Sequence, residues 1–450
     1  MSASSATTMA STAEISSSPE QVVSQFLDSI RAFQYDKAKD AVDKQKEQVK
    51  SSSPESAMWL TILSALGQFA VAEKSYSSFL YLSSKWFGRK DAKSLYDVVA
   101  AECRKIEEYS MKPQAKLSAV AHVCGQLLPY VQVKCQMIDF FENLHSAATK
   151  SSDKENLLTK IQLVLRGSNN KFYHPQLAPL KSVFITECEV IESLLQSDIA
   201  MSRWLYTESL LHLQMAHNNL SKLLAMATTL PQSHLIKRTF LGMKTLTPYL
   251  HTWLKQYKNA VYSKFTLYFY EVLSKYCPHG DMRPHLNRCS IDYYAKLTAF
   301  HKKTDAYLIA LVLNSEGLLV SGPGYSYSSI PPQTLQGKEA FITIFGYPTN
   351  VLDCGELSRL PCLPSFYQTS LVMFMSTKER QLNLLEKPVD FYDDRNKELY
   401  LVSRIDPTIS LVLIYRSKKS EKEKKGIISF VTEVSSSLRY TKVFSELRPS

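Results

Sequence analysis

Apolar residues recur with a helical period up to residue 276, whereas most apolar segments between residues 306 and 417 have the length of strands, and that change constrains the fold more than any other feature. Leu250, Leu254, Tyr257, Val261, Phe265, Tyr268 and Val272 are spaced 4-3-4-4-3-4. Such spacing aligns them along one side of an α-helix of about six turns. Tyr249, Trp253 and Phe269 widen the stripe, so this helix is expected to be the central packing element of a bundle. The later segments AYLIALVLN, VDFYD, ELYLVSRI and TISLVLIYRS have the length and β-branched content of strands. Glycine follows the same division: of 13 in the 450 residues, six lie in 1–290 and seven in the shorter 291–450, where turns are needed.

The sequence predicts a Ser-, Thr- and Ala-rich disordered tail over 1–18, then a multi-helix bundle over 19–276. Pro19 suits a first helical turn, and Val22, Phe26 and Ile30 recur every four residues behind it. Residues 35–50 are predicted to form a charged, solvated helix. Further helices are expected over 55–87, 91–110, 114–148, 153–166, 177–200, 203–229 and 245–276. Pro129 should kink the 114–148 helix, because it removes a backbone donor. GSNNKFYHP marks a break between sub-bundles near 167–176. No fixed repeat runs through these helices, which disfavours a solenoid. Residues 277–290 are predicted to be a linker.

Residues 291–450 are expected to form an α+β domain with an antiparallel sheet and flanking helices. It opens with a helix at IDYYAKLTAFHKKTD, then a strand, the turn SEG and a second strand LLVSG. Candidate strands follow at 340–347, 370–376, 389–393, 398–405 and 408–417. A closing helix would place Ile427, Phe430, Val431, Val434 and Leu438 on one face.

The net charge is +11, but 291–450 holds 20 Lys and Arg against 17 Asp and Glu, leaving +8 dispersed over 1–290. Dispersed charge gives little support to nucleic-acid binding. An acidic partner or an acidic membrane surface stays open, with the lysine-rich run SKKSEKEKK at 417–425 as one place for it. No stretch approaches the ~18 apolar residues of a membrane span. The first residues lack the pattern of a secretion signal or presequence, and Ser2 stands where myristoylation needs glycine. Eight scattered cysteines without C-x-x-C spacing are expected to be reduced, as in the cytosol.

The common nucleotide, zinc-protease and serine-hydrolase motifs do not occur, and no catalytic residue or cofactor is assigned. Gly322 and Gly324 miss the third glycine of a dinucleotide fingerprint and are read as a loop. Cys277, His279, His285 and Cys289 fall within CPHGDMRPHLNRC and hold the atom types of a zinc site. The single residue between Cys277 and His279 argues for a linker instead. FYDDRNKE at 391–398 reads as a hairpin loop in which Asp393 and Asp394 serve turn geometry. Tyr76, Tyr81, Trp86, Tyr257 and Phe265 read as core.

FQYDKAKD (33–40), AEKSYSSFLYL (72–82), FGRKD (87–91), FYHPQLAPLKSVFITE (172–187), KFTLYFYEVLSK (264–275), FYDD (391–394), SKKSEK (417–422), ISFVTEVS (428–435) and KVFSELRP (442–449) resemble, in the same order, segments of the second-subunit family of the KICSTOR complex. The resemblance implies a helical bundle followed by a profilin-like, roadblock-related domain, whose strand–turn–strand opening LIALVLNSEGLLVSG would be. It also implies a non-enzymatic scaffold that works with other KICSTOR subunits and holds the GATOR GTPase-activating complex at the lysosome. There it would restrain signalling from Rag GTPases to the TOR kinase when amino acids or glucose are scarce. A cytosolic chain recruited to the lysosomal surface follows from that. Candidate contact residues are Tyr35, Asp36, Lys37 and Asp40 on the early helix and Tyr392, Asp393 and Asp394 on the hairpin, although such polar sets also occur as internal salt-bridge nets. Self-association is a further expectation for such a bundle. Two alternatives remain: a longin-type membrane-trafficking adaptor, and a metal-dependent enzyme built on the Cys277–Cys289 cluster.

Overall fold

The computed structural model describes residues 18–49, 53–82, 92–111, 117–147, 154–169, 171, 173–228, 248–325, 332–355 and 360–447. The expected tail, Ser18 excepted, and Trp86 lie outside these residues. Up to residue 228 the described chain is helical: α1 (Pro19–Arg31), α2 (Tyr35–Gln48), α3 (Pro54–Ser78), α4 (Ala92–Ser110), α5 (Ser118–Gly125), α6 (Leu127–Ala147), α7 (Lys154–Asn169), α8 (Ala178–Ser202) and α9 (Tyr206–Thr228). The first start is fixed locally. The Ser18 hydroxyl accepts from the Gln21 N–H, and the Gln21 side chain accepts from the Ser18 N–H, a reciprocal cap that meets two otherwise orphaned donors. Pro19 then occupies the first turn, and Val22, Phe26 and Ile30 are buried as their spacing requires.

Two expected helices are interrupted. The 114–148 segment is interrupted as expected, at Gln126 between α5 and α6, in the turn preceding Pro129. Pro129 has no N–H for the Gly125 carbonyl four residues back and its ring crowds that carbonyl, so the interruption falls in the turn before the proline. The break lies beside Gly125, where a Cβ would stand 3.1 Å from the Glu107 Cβ, so α5 passes close against α4. The long 245–276 helix divides at Phe269 into α10 (Tyr249–Tyr268) and α11 (Tyr270–Tyr276), yet all seven stripe residues are buried. Alongside α10, α8 is buried around most of its circumference, carrying Val183, Phe184, Val190, Ile191, Leu194 and Leu195 into the centre and leaving Lys181, Ile185, Glu189, Glu192 and Gln196 half-buried along one stripe. Between α11 and residue 291 the chain makes short helical turns at Pro278–Gly280 and Arg283–Leu286. Ser263 on α10 holds the end of this stretch, its hydroxyl accepting from the N–H groups of Ser290 and Ile291.

The remainder runs α12 (Tyr293–Thr304), β1 (Leu308–Asn314), β2 (Phe341–Tyr347), α13 (Ser365–Thr377), β3 (Val389–Asp393), β4 (Glu398–Arg404), β5 (Ile409–Tyr415) and α14 (Glu421–Leu438). The five strands form one antiparallel sheet in the order β2-β1-β5-β4-β3. Strands β4 and β5 are buried on both faces, so helices cover the sheet on both sides. Phe300 of α12 stacks on Phe430 of α14, and Tyr367 of α13 reaches the ring of Tyr400 on β4.

Two strand assignments need correction. Residues 370–376 lie in α13: Tyr367, Leu371, Phe374 and Met375 are buried at helical spacing, a pattern that a short apolar run taken alone does not reveal. LLVSG is not the hairpin partner of β1. The Ser315 N–H and hydroxyl both donate to the Ala340 carbonyl, which ties the end of β1 to the start of β2 and turns the intervening chain away. Leu319–Val320 pairs instead with Gln333–Thr334 in a separate two-residue ladder. The closing helix is as expected, with Ile427, Val431, Val434 and Leu438 buried and Phe430 half-buried.

Helices and sheet share one apolar core running from Val22 to Leu447. Gly324 illustrates how closely they meet. Its φ is +100°, a Cβ there would lie 3.0 Å from the Trp204 carbonyl oxygen and from the Phe269 ring, and its own carbonyl accepts from the Tyr206 N–H. The last described turn, Thr441–Ser445, lies against the helices: Trp253 donates to the Val443 carbonyl, Tyr249 to the Glu446 carbonyl, and His145 meets the Phe444 carbonyl.

Candidate functional site

The seven residues singled out in the sequence fall into two separate surfaces. On α2, Asp36, Lys37 and Asp40 are exposed, and Tyr35 is half-buried with its phenol directed inward. Burial, reinforced by Glu73, holds that phenol well above its usual 10.0, against an opposing hydrogen bond from Ser77. Asp36 pairs with Lys74 of α3 through both carboxylate oxygens, at 2.7 and 2.9 Å. The set therefore splits into one core residue, one surface ion pair and two exposed charges.

On the β3–β4 hairpin, Tyr392 lies opposite Leu399, and the Lys418 ammonium stands 5.7 Å from its ring centroid. Asp393 shapes the turn: its carboxylate accepts from the N–H groups of Arg395 and Asn396 and from the Asn396 side-chain amide. Asp394 is exposed. The lysine-rich run leads into α14, where Ser420 and Glu423 form a second reciprocal cap and Lys424 pairs with Asp390 of β3 at 2.6 Å. Part of the run's charge is thus neutralised within the fold.

The four candidate zinc ligands do not converge. Cys277 is buried with its sulfur 3.6 Å from that of Met282, His279 is exposed, His285 meets the Tyr262 hydroxyl at 2.9 Å, and Cys289 lies against Thr266. Among the described residues no group of three or more His, Cys, Asp and Glu is placed to hold a metal ion.

Two buried charge networks were not singled out from the sequence. In the first, Lys264 of α10 is fully enclosed, its ammonium 2.9 Å from Asp198 of α8 and from Asp406 in the β4–β5 turn. Lys154, the first residue of α7, approaches the same carboxylates at 2.5 and 2.9 Å. Tyr268 donates to Asp406 at 2.7 Å and Tyr440 to Asp198 at 2.9 Å. Burial alone would raise the Asp406 carboxyl, but Lys154 and Lys264 outweigh it and hold the group well below 3.8. Burial likewise works against the Lys154 ammonium, and Asp198 and Asp406 reverse the balance, holding it above 10.5. This network joins the helices to the sheet. In the second, within the bundle, Lys134 lies 3.5 Å from Glu73 and 3.9 Å from Glu187 and stands over the Tyr76 ring. Tyr96 and Tyr130 donate to Glu73, and Tyr76 donates to Glu187. Burial pushes the Glu187 carboxyl up from 4.5, with Lys134 pulling it back. The sequence signal was a charged residue at an apolar helix position: Lys264 lies within the Val261–Phe265–Tyr268 stripe, and Asp198 follows Ile191, Leu194 and Leu195 by one helical repeat.

A family model described as "KICSTOR complex C12orf66 like" matches residues 14–450. The chain belongs to this KICSTOR family. Two curated relatives named "KICSTOR subunit 2" are similar to it along nearly their whole length. The one from Danio rerio is 29% identical over 445 residues, 95% of each chain. The one from Xenopus laevis is 29% identical over 447 residues, 96% of each chain. The family match spans both surfaces described above, and both relatives are named as subunits.

Proposed function

We propose that this chain is a non-enzymatic scaffold subunit of a KICSTOR complex. It recruits the GATOR GTPase-activating complex to the lysosomal surface and restrains TOR signalling when amino acids or glucose are scarce. The observation that carries this reading is the end-to-end family match with relatives named as subunits. The sheet region is a profilin-like, roadblock-related domain in this reading. Support comes from its element order, helix, two strands, helix, three strands, helix, and its strand order β2-β1-β5-β4-β3. Helix α12, which precedes β1, favours this over the longin alternative. Strand β3 ends the sheet with one edge unpaired among the described residues, a form on which partners can add a strand.

The test is affinity purification of the tagged full-length chain from its native cells. Recovery of other KICSTOR subunits with GATOR components is the expected result, and recovery of trafficking coats or tethers in their place overturns it. Asp36, Lys37, Asp40 and Asp394 are the exposed contact candidates. Asp36→Lys with Asp40→Lys is expected to lower recovery of one partner severalfold while leaving the melting temperature nearly unchanged, because exposed ion pairs contribute at most about 1 kcal/mol.

A further inference from the structure

Helices α9 and α10 flank an open groove of about 390 Å³. Leu210, Leu213 and His217 line one wall at helical spacing, Lys258 and Tyr262 line the other, and Arg288 closes an end. Immediately beside it on α9 are two large apolar residues left in solvent, Leu211 at 59% and Met215 at 50% exposure, next to Leu210 at 39%. Lys258 is half-buried, and the charged neighbour that acts on it is another cation, Lys255; burial and that repulsion hold its ammonium below 10.5. No carboxylate lines the groove among the described residues. A partly desolvated, unneutralised cation in a concave, apolar-edged site is what a carboxylate-bearing ligand would complete.

We propose that this groove seats an acidic segment of another protein in the assembly, with carboxylates on Lys258 and Arg288 and an apolar side chain against Leu210 and Leu213. The inference rests on the scaffold reading and names the chemistry of one partner. Two other occupants fit less well. The chain's own 229–247, which follows α9, holds Lys237, Arg238 and Lys244 and no acidic residue, so it has the same sign as the groove. A bilayer surface is too flat to reach cations set between two helices.

A photo-crosslinking amino acid placed at exposed Gln214 in the tagged full-length chain, expressed in its native cells, tests this. The expected product is a crosslink to a net-acidic peptide of a co-purifying subunit, reduced at least tenfold by Lys258→Glu with Arg288→Glu. Lys255→Glu with Arg288→Glu, both exposed, serves if the first pair fails to fold. A crosslink to lipid, to a second copy of this chain or to a peptide without net negative charge overturns the proposal, as does a crosslink indifferent to charge reversal. No crosslink while other subunits still co-purify also overturns it and leaves the scaffold reading standing; no co-purifying subunit at all overturns both.

Discussion

Lys264 has no contact with solvent, and its two carboxylate partners come from opposite parts of the chain, Asp198 from α8 and Asp406 from the sheet. Removing one partner strands buried charge, so Asp406→Ala is expected to cost about 3–5 kcal/mol, read as a fall in the urea midpoint. The pH dependence has a definite sign. Asp406 is held below 3.8 in the fold, so its contribution is present above that value and is lost as pH falls through the folded value. Lys154 is held above 10.5, so its contribution is present below that value and is lost as pH rises through the folded value. Stability against urea should therefore be flat near neutrality and fall at both extremes, and Asp406→Asn should flatten the acid limb. At this scale the sequence showed which positions are apolar, but not which charges meet. Asp198, Lys264 and Asp406 are far apart along the chain, and only the closed fold brings both carboxylates within 3 Å of the Lys264 ammonium.

Single capping residues decide where the elements start. Ser420 caps α14 and shares three hydrogen bonds with Glu423, so Ser420→Ala should cost about 1 kcal/mol in equilibrium unfolding. Gly324→Ala should destabilise by at least about 1 kcal/mol, since it combines a positive φ with a backbone oxygen 3.0 Å from the new methyl group. Element positions were legible where period or composition is distinctive: the 250–272 stripe and the closing helix follow from spacing, and all five sheet strands lie within segments of strand length and composition. Legibility failed where two elements share a composition. SLVMFMS is apolar at nearly every position, and its helical period emerges only when Tyr367, upstream of it, is counted. LLVSG has the residues of a strand, but Ser315 commits β1 to β2 through the Ala340 carbonyl, a contact 25 residues away in sequence. The burial of the candidate contact residues was unevenly legible for a related reason. Periodicity marks Asp36, Lys37 and Asp40 as solvated, but not that the phenol of Tyr35 turns toward Glu73.

The whole molecule is joined along a seam of aromatic rings and paired charges between the α8–α10 layer and the end of the chain. Tyr440 and Phe444 pack against Tyr257, and Trp253 donates to Val443. Residues 291–450 made alone should therefore be poorly soluble or melt early, and should be recovered in soluble form when 1–290 is co-expressed, as read by gel filtration of the pair. The sequence suggested two regions; their shared core could not be read from it, because each half of the seam looks like an ordinary apolar face. The C-terminal turn has a consequence for synthesis. Helices made early leave the ribosome with a wet socket of Tyr257, Trp253 and Tyr249, and that socket closes only after translation has passed Leu447. A chain stopped before Tyr440 is therefore expected to keep those rings in solvent and to be held by chaperones.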